Sequence, residues 1–282
     1  MEKISAGFFT VIDMLEIFNY SFMVRAFIAG GAIAVIAPLI GTFLVMRRFS
    51  LFADSLSHVA LAGVAVGIIS GLHPVATAVI ACIIAAFFIE KLRSEQKIYG
   101  DAALSLFLSG SLAVALVLIS LAHGFNVNLF SYLFGSVAAV EEMDVYIILG
   151  LTIVVLVVLL GYYRQLFYIS FDEEAAKVSG IRVKVMNLLL MTLAAVTVAL
   201  SMRIVGILMV GALMVIPVLA ALQIAKSFRQ TLWYSVLFSV LSVFAGLVLS
   251  YQFDIIAGGA IVLLALLLFV FMLFLGNIRK SV

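Results

Sequence analysis

The sequence predicts an all-α, polytopic integral membrane protein, and three observations carry that prediction. Of its 282 residues 66% are hydrophobic and 11% charged, with a mean hydropathy of +1.35, beyond what a soluble domain with a solvated surface reaches. Apolar runs of about 18 to 25 residues recur along the chain, the length a helix needs to cross a hydrocarbon core of roughly 30 Å. The polar stretches between them are too short to hold a soluble domain, so residues 1–282 read as a single transmembrane domain of eight to nine spans.

Residues 1–20 alternate apolar clusters (Phe8, Phe9, Val11, Ile12, Leu15) with Glu2, Asp13 and Glu16, the pattern of an interfacial helix. A basic start and an uninterrupted apolar run are missing, so no cleaved signal peptide is expected. The first span covers 22–46, with Pro38 as a point of kinking. Arg47-Arg48 then introduces a second span, 51–71, and His73-Pro74 turns the chain into a third, 75–90. A loop with Lys91, Arg93, Glu95 and Lys97 leads to a fourth, 102–122. The stretch Asn126 to Ser136 is too short and too polar to cross, which fits a re-entrant or interfacial element.

A fifth span, 145–163, precedes the longest polar interruption of the second half, the loop 164–184. Within it Asp172, Glu173 and Glu174 are followed by Ala175 and Ala176 and then Gly180. Acids that compensate the dipole, alanines and a terminal glycine describe a short helix. Apolar stretches at 185–202, 204–225, 231–251 and 255–275 complete the chain, with the turn at 201–205 the least marked boundary. Strict alternation collects Arg47, Arg48, Lys91, Arg93, Lys97, Arg164, Lys177, Arg182, Lys184, Lys226, Arg229, Arg279 and Lys280 on one side. It leaves Lys3, Arg25 and Arg203 on the other. By the positive-inside rule the first side is cytoplasmic, the amino terminus external and the carboxyl terminus internal, with Glu141, Glu142, Asp144 and Asp254 outside. The cations thus report topology and not nucleic-acid binding.

The second span carries the chemistry. At 100° per residue Asp54 and His58 share one face, with Ser50 and Ser57 beside them, whereas Gly63 and Gly67 lie opposite. A Gly-xxx-Gly spacing lets a neighbouring helix approach closely in a membrane. An acid inside a span costs about 2.5 to 3.5 kcal/mol on insertion scales, so its presence is a functional hypothesis by default. Asp54 and His58 fit a proton relay, a self-neutralising pair, or ligands for divalent zinc, manganese or iron. A tetrahedral site needs two more groups, which a two-fold homodimer would supply. His73 and His123 sit near outer span ends, where they could capture metal or simply occupy the interface. Straight-helix counting puts Asp54 about one turn and His58 about two turns into the span from the cytoplasmic side. Cys82, Met202, Met209 and Met214 read as apolar filler.

No Gly-x-x-x-x-Gly-Lys-Ser/Thr loop and no His-Glu-x-x-His occurs, and Gly110-Ser111 is an ordinary helix-packing pair, so nothing supports an enzyme. Two other classes stay open on the residues alone: a proton-coupled secondary transporter with Asp54 and His58 as relay, and a structural membrane component with a buried ion pair.

The chain resembles the permease subunits of ABC importers for zinc and manganese. The likeness rests on the Arg-Arg-x-Ser and Asp-x-x-x-His block within Gly41 to Gly67, on Tyr-Leu-Phe-Gly within Asn128 to Gly135, on Asp172 to Gly180, and on Asn187 to Pro217. The resemblance implies a prokaryotic cell-membrane permease that pairs as a homodimer and binds no nucleic acid. It implies docking to a cytoplasmic ATPase and supply by an extracytoplasmic metal-binding protein. It further implies that Asp54 and His58 hold the transported ion and that Asp172, Glu173, Glu174, Ala175, Ala176 and Gly180 form the coupling helix against the ATPase. No intrinsic cofactor is expected beyond the transported Zn2+, Mn2+ or Fe2+. The wording of the Asp54 and Asn128 blocks is closer to the zinc branch.

Overall fold

The computed structural model describes residues 17–94, 100–121, 129–136, 138 and 140–280. A 3-10 turn at Ile17–Asn19 opens it, and twelve α-helices follow: α1 Ser21–Met46, α2 Leu51–Ser70, α3 Pro74–Ser94, α4 Gly100–Leu121, α5 Leu129–Phe134, α6 Glu142–Gly161, α7 Tyr163–Phe171, α8 Glu173–Val178, α9 Val183–Ser201, α10 Val210–Ile224, α11 Phe228–Phe253 and α12 Ala257–Lys280. Among the described residues nine helices are long and apolar enough to cross a membrane, one of them α10 with the 3-10 turn Ile207–Met209 ahead of it. The protein is thus an all-α membrane protein. The interfacial helix expected before residue 17, His123 and the polar start of the 126–136 element lie outside the described residues.

Helix boundaries follow local chemistry. The α1–α2 turn reverses through Arg48 in a left-handed conformation, φ 62°. At the other end of α2, Gly71 is left-handed and Leu72 N–H donates to Gly67 O at 2.9 Å, a closing bond that satisfies a terminal carbonyl. Asp172 caps α8 by accepting from Ala175 N at 2.8 Å, and Gly180 closes it at φ 83°. α1 runs unbroken through Pro38, and Thr42 Oγ1 donates to the Pro38 carbonyl at 2.7 Å.

Two departures from the sequence reading stand out. The seventh span is not one helix over 204–225: Met202 to Gly206 turn, a 3-10 element follows, and the α-helix begins only at Val210. The loop 164–184 also holds a helix that hydropathy did not reveal, α7, whose Tyr163, Phe167 and Phe171 stack in sequence and against Phe228, with ring centroids 4.8 to 6.3 Å apart. Aromatic packing against α11 specifies this helix, and an isolated stretch of hydropathy carries no trace of that partner.

α1, α2 and α9 form the centre of the bundle. In α9, 72% of the apolar window is buried, against 17% in α4, which leaves α4 largely uncovered. α2 packs between α3 and α4 on one side and α9 and α10 on the other, while α1 packs on α9, α10, α11 and α6. The second span of the sequence is therefore largely internal, with Leu51, Val66 and Ile69 left exposed.

Candidate functional site

Gly63 and Gly67 face α3. A Cβ on Gly63 would come within 2.7 Å of Ala78 Cα, and one on Gly67 would overlap the Thr77 hydroxyl. Two further bonds fasten α2: Ser55 Oγ donates to Leu104 O of α4 at 3.0 Å, and Cys82 Sγ lies 3.4 Å from Leu56 O. The face opposite the glycines carries Asp54 and His58 towards α10 and the broken segment ahead of it.

Asp54 meets α10 at Gly211. Its Oδ1 occupies the space that a Cβ on Gly211 would fill, so the carboxylate reaches the α10 backbone only because no side chain stands there. His58 lies one turn further along, with Nδ1 buried and without a hydrogen-bond partner. Among the described residues neither side chain joins a hydrogen bond or an ion pair. A half-buried acid and, one turn along, an imidazole whose Nδ1 is buried and unpaired form a candidate donor pair. No third His, Cys, Asp or Glu gathers with them among the described residues.

The contact with Gly211 also bears on the depth. Gly211 belongs to the first turn of α10, and roughly 20 Å of helix separates it from the end of α10 at Ile224. Asp54 in turn lies roughly 24 Å from the opposite end of α2 at Ser70. Measured between those two helix ends, Ile224 and Ser70, the pair sits near the middle of the bundle. Counted along α2 itself Asp54 stands in the first turn, as expected, and α8 covers the α1–α2 turn, leaving the Arg47 side chain only 5% exposed.

That covered turn is held by a polar clasp. Arg47 Nη1 donates to Asn187 Oδ1 of α9 at 2.7 Å, and Nη2 donates to Glu173 Oε2 of α8 at 3.0 Å. Asn187 Nδ2 donates to Glu173 Oε1 at 3.3 Å. Arg93, at the end of α3, grips Glu90 through two bonds of 2.8 and 2.9 Å and reaches Glu173 Oε1 at 4.0 Å. The Phe49 ring lies 5.4 Å from the Arg47 guanidinium and 5.3 Å from that of Arg93. Burial pulls the Arg47 guanidinium below its ordinary range, and the Glu173 carboxylate opposes that pull. One carboxylate on α8 is thus tied to the ends of α1, α3 and α9. Elsewhere on α8 Ala176 is buried, Glu174 is exposed, and Val178 projects with 89% of its surface free.

At the other end of the bundle a second buried cluster forms. Asp144 is fully buried, with Oδ2 3.3 Å from Arg203 Nε and Oδ1 3.7 Å from His73 Nε2. Glu141 N–H donates to Asp144 Oδ2 at 3.1 Å, and the Arg203 guanidinium lies 4.7 Å over the Tyr132 ring. His73 is therefore a member of an ion-pair cluster in this structure. Beside it the chain around Gly206, φ 87°, is crossed by α5: a Cβ there would overlap Phe134, and one on Gly135, φ 77°, would overlap Ile204 O.

Sequence reasoning placed Asp54 and His58 together but missed Gly211, Asn187 and the pairing of Asp144 with Arg203. Gly211 had one available signal, a glycine at the start of an apolar stretch just after the least marked boundary. The pairing of Asp144 with Arg203 had none, because the rest of α6 and all of α7, α8 and α9 separate the two residues in sequence.

Residues 19–276 match the profile of the ABC 3 transport family. The chain is 34% identical to the high-affinity zinc uptake system membrane protein ZnuB of Haemophilus influenzae, over 90% of this chain and 98% of that protein. It is 31% identical to the manganese import system permease protein ScaB of Streptococcus gordonii, over 92% of each. Among solved structures, PsaBC from Streptococcus pneumoniae in complex with Fab superposes with a TM-score of 0.84 at 30% identity, covering 93% of this chain and 95% of that one.

Proposed function

The chain belongs to the ABC 3 transport family, and from that premise we infer that it is the membrane permease of an ATP-binding-cassette importer carrying a divalent transition-metal ion into the cytoplasm. It is a transport subunit and not itself an enzyme, so ATP hydrolysis belongs to a separate cytoplasmic protein and capture of the ion to an extracytoplasmic one. Zinc is the first-choice cargo, with manganese and iron as the other members of the same donor chemistry. Relatives named for zinc and for manganese are nearly equally similar, so the zinc reading rests on the wording of the Asp54 and Asn128 blocks.

One observation carries the reading: an acid and an imidazole are held at mid-bundle, one turn apart and with side chains outside the hydrogen bonds and ion pairs of the described residues, on a helix that is largely buried. Two donors from one chain fall short of the four that zinc takes. A second copy related by two-fold symmetry supplies the other Asp54 and His58, which favours a homodimer enclosing the pathway. The ion passes between waters and these four groups, neutral imidazoles donating nitrogen and carboxylates supplying the compensating charge. α8 serves as the coupling helix. Movement of the ATPase against Val178 and Glu174 shifts α8, and the Glu173 clasp passes that shift to α1, α3 and α9, the frame around the site.

The test is reconstitution with an ATPase subunit and a metal-binding protein, following zinc and manganese flux with and without ATP. ATP-dependent flux that His58→Ala or Asp54→Asn reduces to background, with unchanged membrane insertion, is the expected result. Flux driven by a proton gradient with no ATPase present would overturn the reading, as would wild-type flux in either variant.

A further inference from the structure

The cations of this protein fall into two kinds. Arg47, Arg93 and Arg203 are each paired with a carboxylate of the chain. Arg229 is exposed, and among the described residues no carboxylate lies within ion-pair distance of it. It stands in the first turn of α11, just after Lys226 and Ser227, where the positive-inside rule puts the cytoplasmic membrane boundary. It also closes one end of a groove of about 440 Å³.

The groove is apolar along its length. Val35 and Leu39 of α1 form one wall, Leu160 of α6 another, and Leu232, Trp233 and Val236 of α11 the third, while Tyr163 stands with Arg229 at the polar end. No acidic residue lines it. From Arg229 to Val236 it runs roughly 10 Å along the helix, inward from the boundary. Trp233 is 67% exposed one turn inside Arg229, and indole and phenol rings at this depth suit the junction of headgroup and hydrocarbon. The groove also faces away from the pathway. Gly41 brings the opposite side of α1 against the Met214 backbone of α10, whereas Val35 and Leu39 point about 120° and 160° from Gly41 on a helical wheel.

We propose that this groove binds one anionic phospholipid of the cytoplasmic leaflet, an acyl segment lying along Val35, Leu160 and Val236 and the phosphate held by Arg229. A guanidinium fork matches phosphate geometry through paired N–H donors, and an unpaired arginine with no acid nearby selects a lipid of net negative charge over a zwitterion. Trp233 packs the first methylenes while its ring edge stays at the interface. The lipid would wedge between α1 and α11 beside the α6–α7 junction, on the side of the bundle away from Asp54.

Native mass spectrometry of the purified chain in detergent tests this, with phosphatidylglycerol and phosphatidylcholine of identical acyl chains titrated separately. The expected result is one phosphatidylglycerol retained at a several-fold lower lipid concentration than phosphatidylcholine. Arg229→Gln should erase that difference and Lys184→Gln should leave it intact. Val236→Trp, which fills the groove, should weaken retention of both lipids while thermal melting stays near wild type. Equal retention of the two lipids by the wild type, or an unchanged preference in Arg229→Gln, overturns the proposal. So does efficient disulfide crosslinking of Val236→Cys between two copies in a Cys82→Ala background, since a second copy would then cover the groove.

Discussion

Two polar clusters in this protein, separated by a single turn of chain, are built in opposite ways. The Arg47 clasp satisfies its members: guanidinium, amide and carboxylate groups bond to one another at 2.7 to 3.3 Å, and a phenyl ring fills the space between two arginines. The Asp54 and His58 pair is left open, with a buried imidazole nitrogen lacking a partner and a carboxylate pressed against bare backbone at Gly211. A satisfied network holds its elements in one arrangement, whereas an unsatisfied one keeps donors available to an incoming ion. On the proposed function the first is a mechanical joint and the second the binding site.

That contrast can be broken or sharpened experimentally. The largest effect is expected at the open pair. His58→Ala or Asp54→Asn should bring ATP-driven metal flux to background while melting temperature in detergent changes little, because no fixed bond is lost. A large drop in melting temperature would instead make the pair structural. Gly211→Ala should come next, lowering flux by about tenfold or more, since a methyl group must push the Asp54 carboxylate from its place and positioned donors lose about that much when displaced. Isothermal titration with Zn2+ should show the same order of weakening.

At the clasp the signature reverses. Glu173→Gln keeps the shape but removes the charge shared by Arg47, Arg93 and Asn187, with half of the Glu173 side chain screened by solvent. Stability should fall by about 1 kcal/mol or less. Ion binding at Asp54 should be intact, and ATP hydrolysis should continue with flux reduced several-fold, a split between turnover and transport. Loss of ion binding in this variant would contradict the division between joint and site. Packing positions should show stability effects alone: Gly67→Val, which overfills the α2–α3 contact, should cost about 1 to 3 kcal/mol. The smallest change is expected for Cys82→Ala, within about 1 kcal/mol of wild type in thermal melts.

Much of the architecture was legible from residues one at a time. Apolar length alone marked nine spans, and the boundaries at Met46, Leu51 and Pro74 fell where arginines and a proline interrupt the runs. Asp54 and His58 were legible because a charge in a span is rare enough to need a reason. Depth within the bundle was not, since it depends on where α10 meets Asp54 at Gly211. Nor was α7, whose amphipathic aromatics find their meaning only against Phe228 on a helix much later in the chain. The division follows from physics: hydropathy and helical period are local sums over neighbouring residues, and they determined the spans and the face that bears acid and imidazole. Tertiary structure alone decided that Gly211 opens room for Asp54, that one carboxylate on α8 fastens three spans, and that the pair lies at mid-bundle. Each of these is a contact between distant segments, whose energy exists only once the helices have packed.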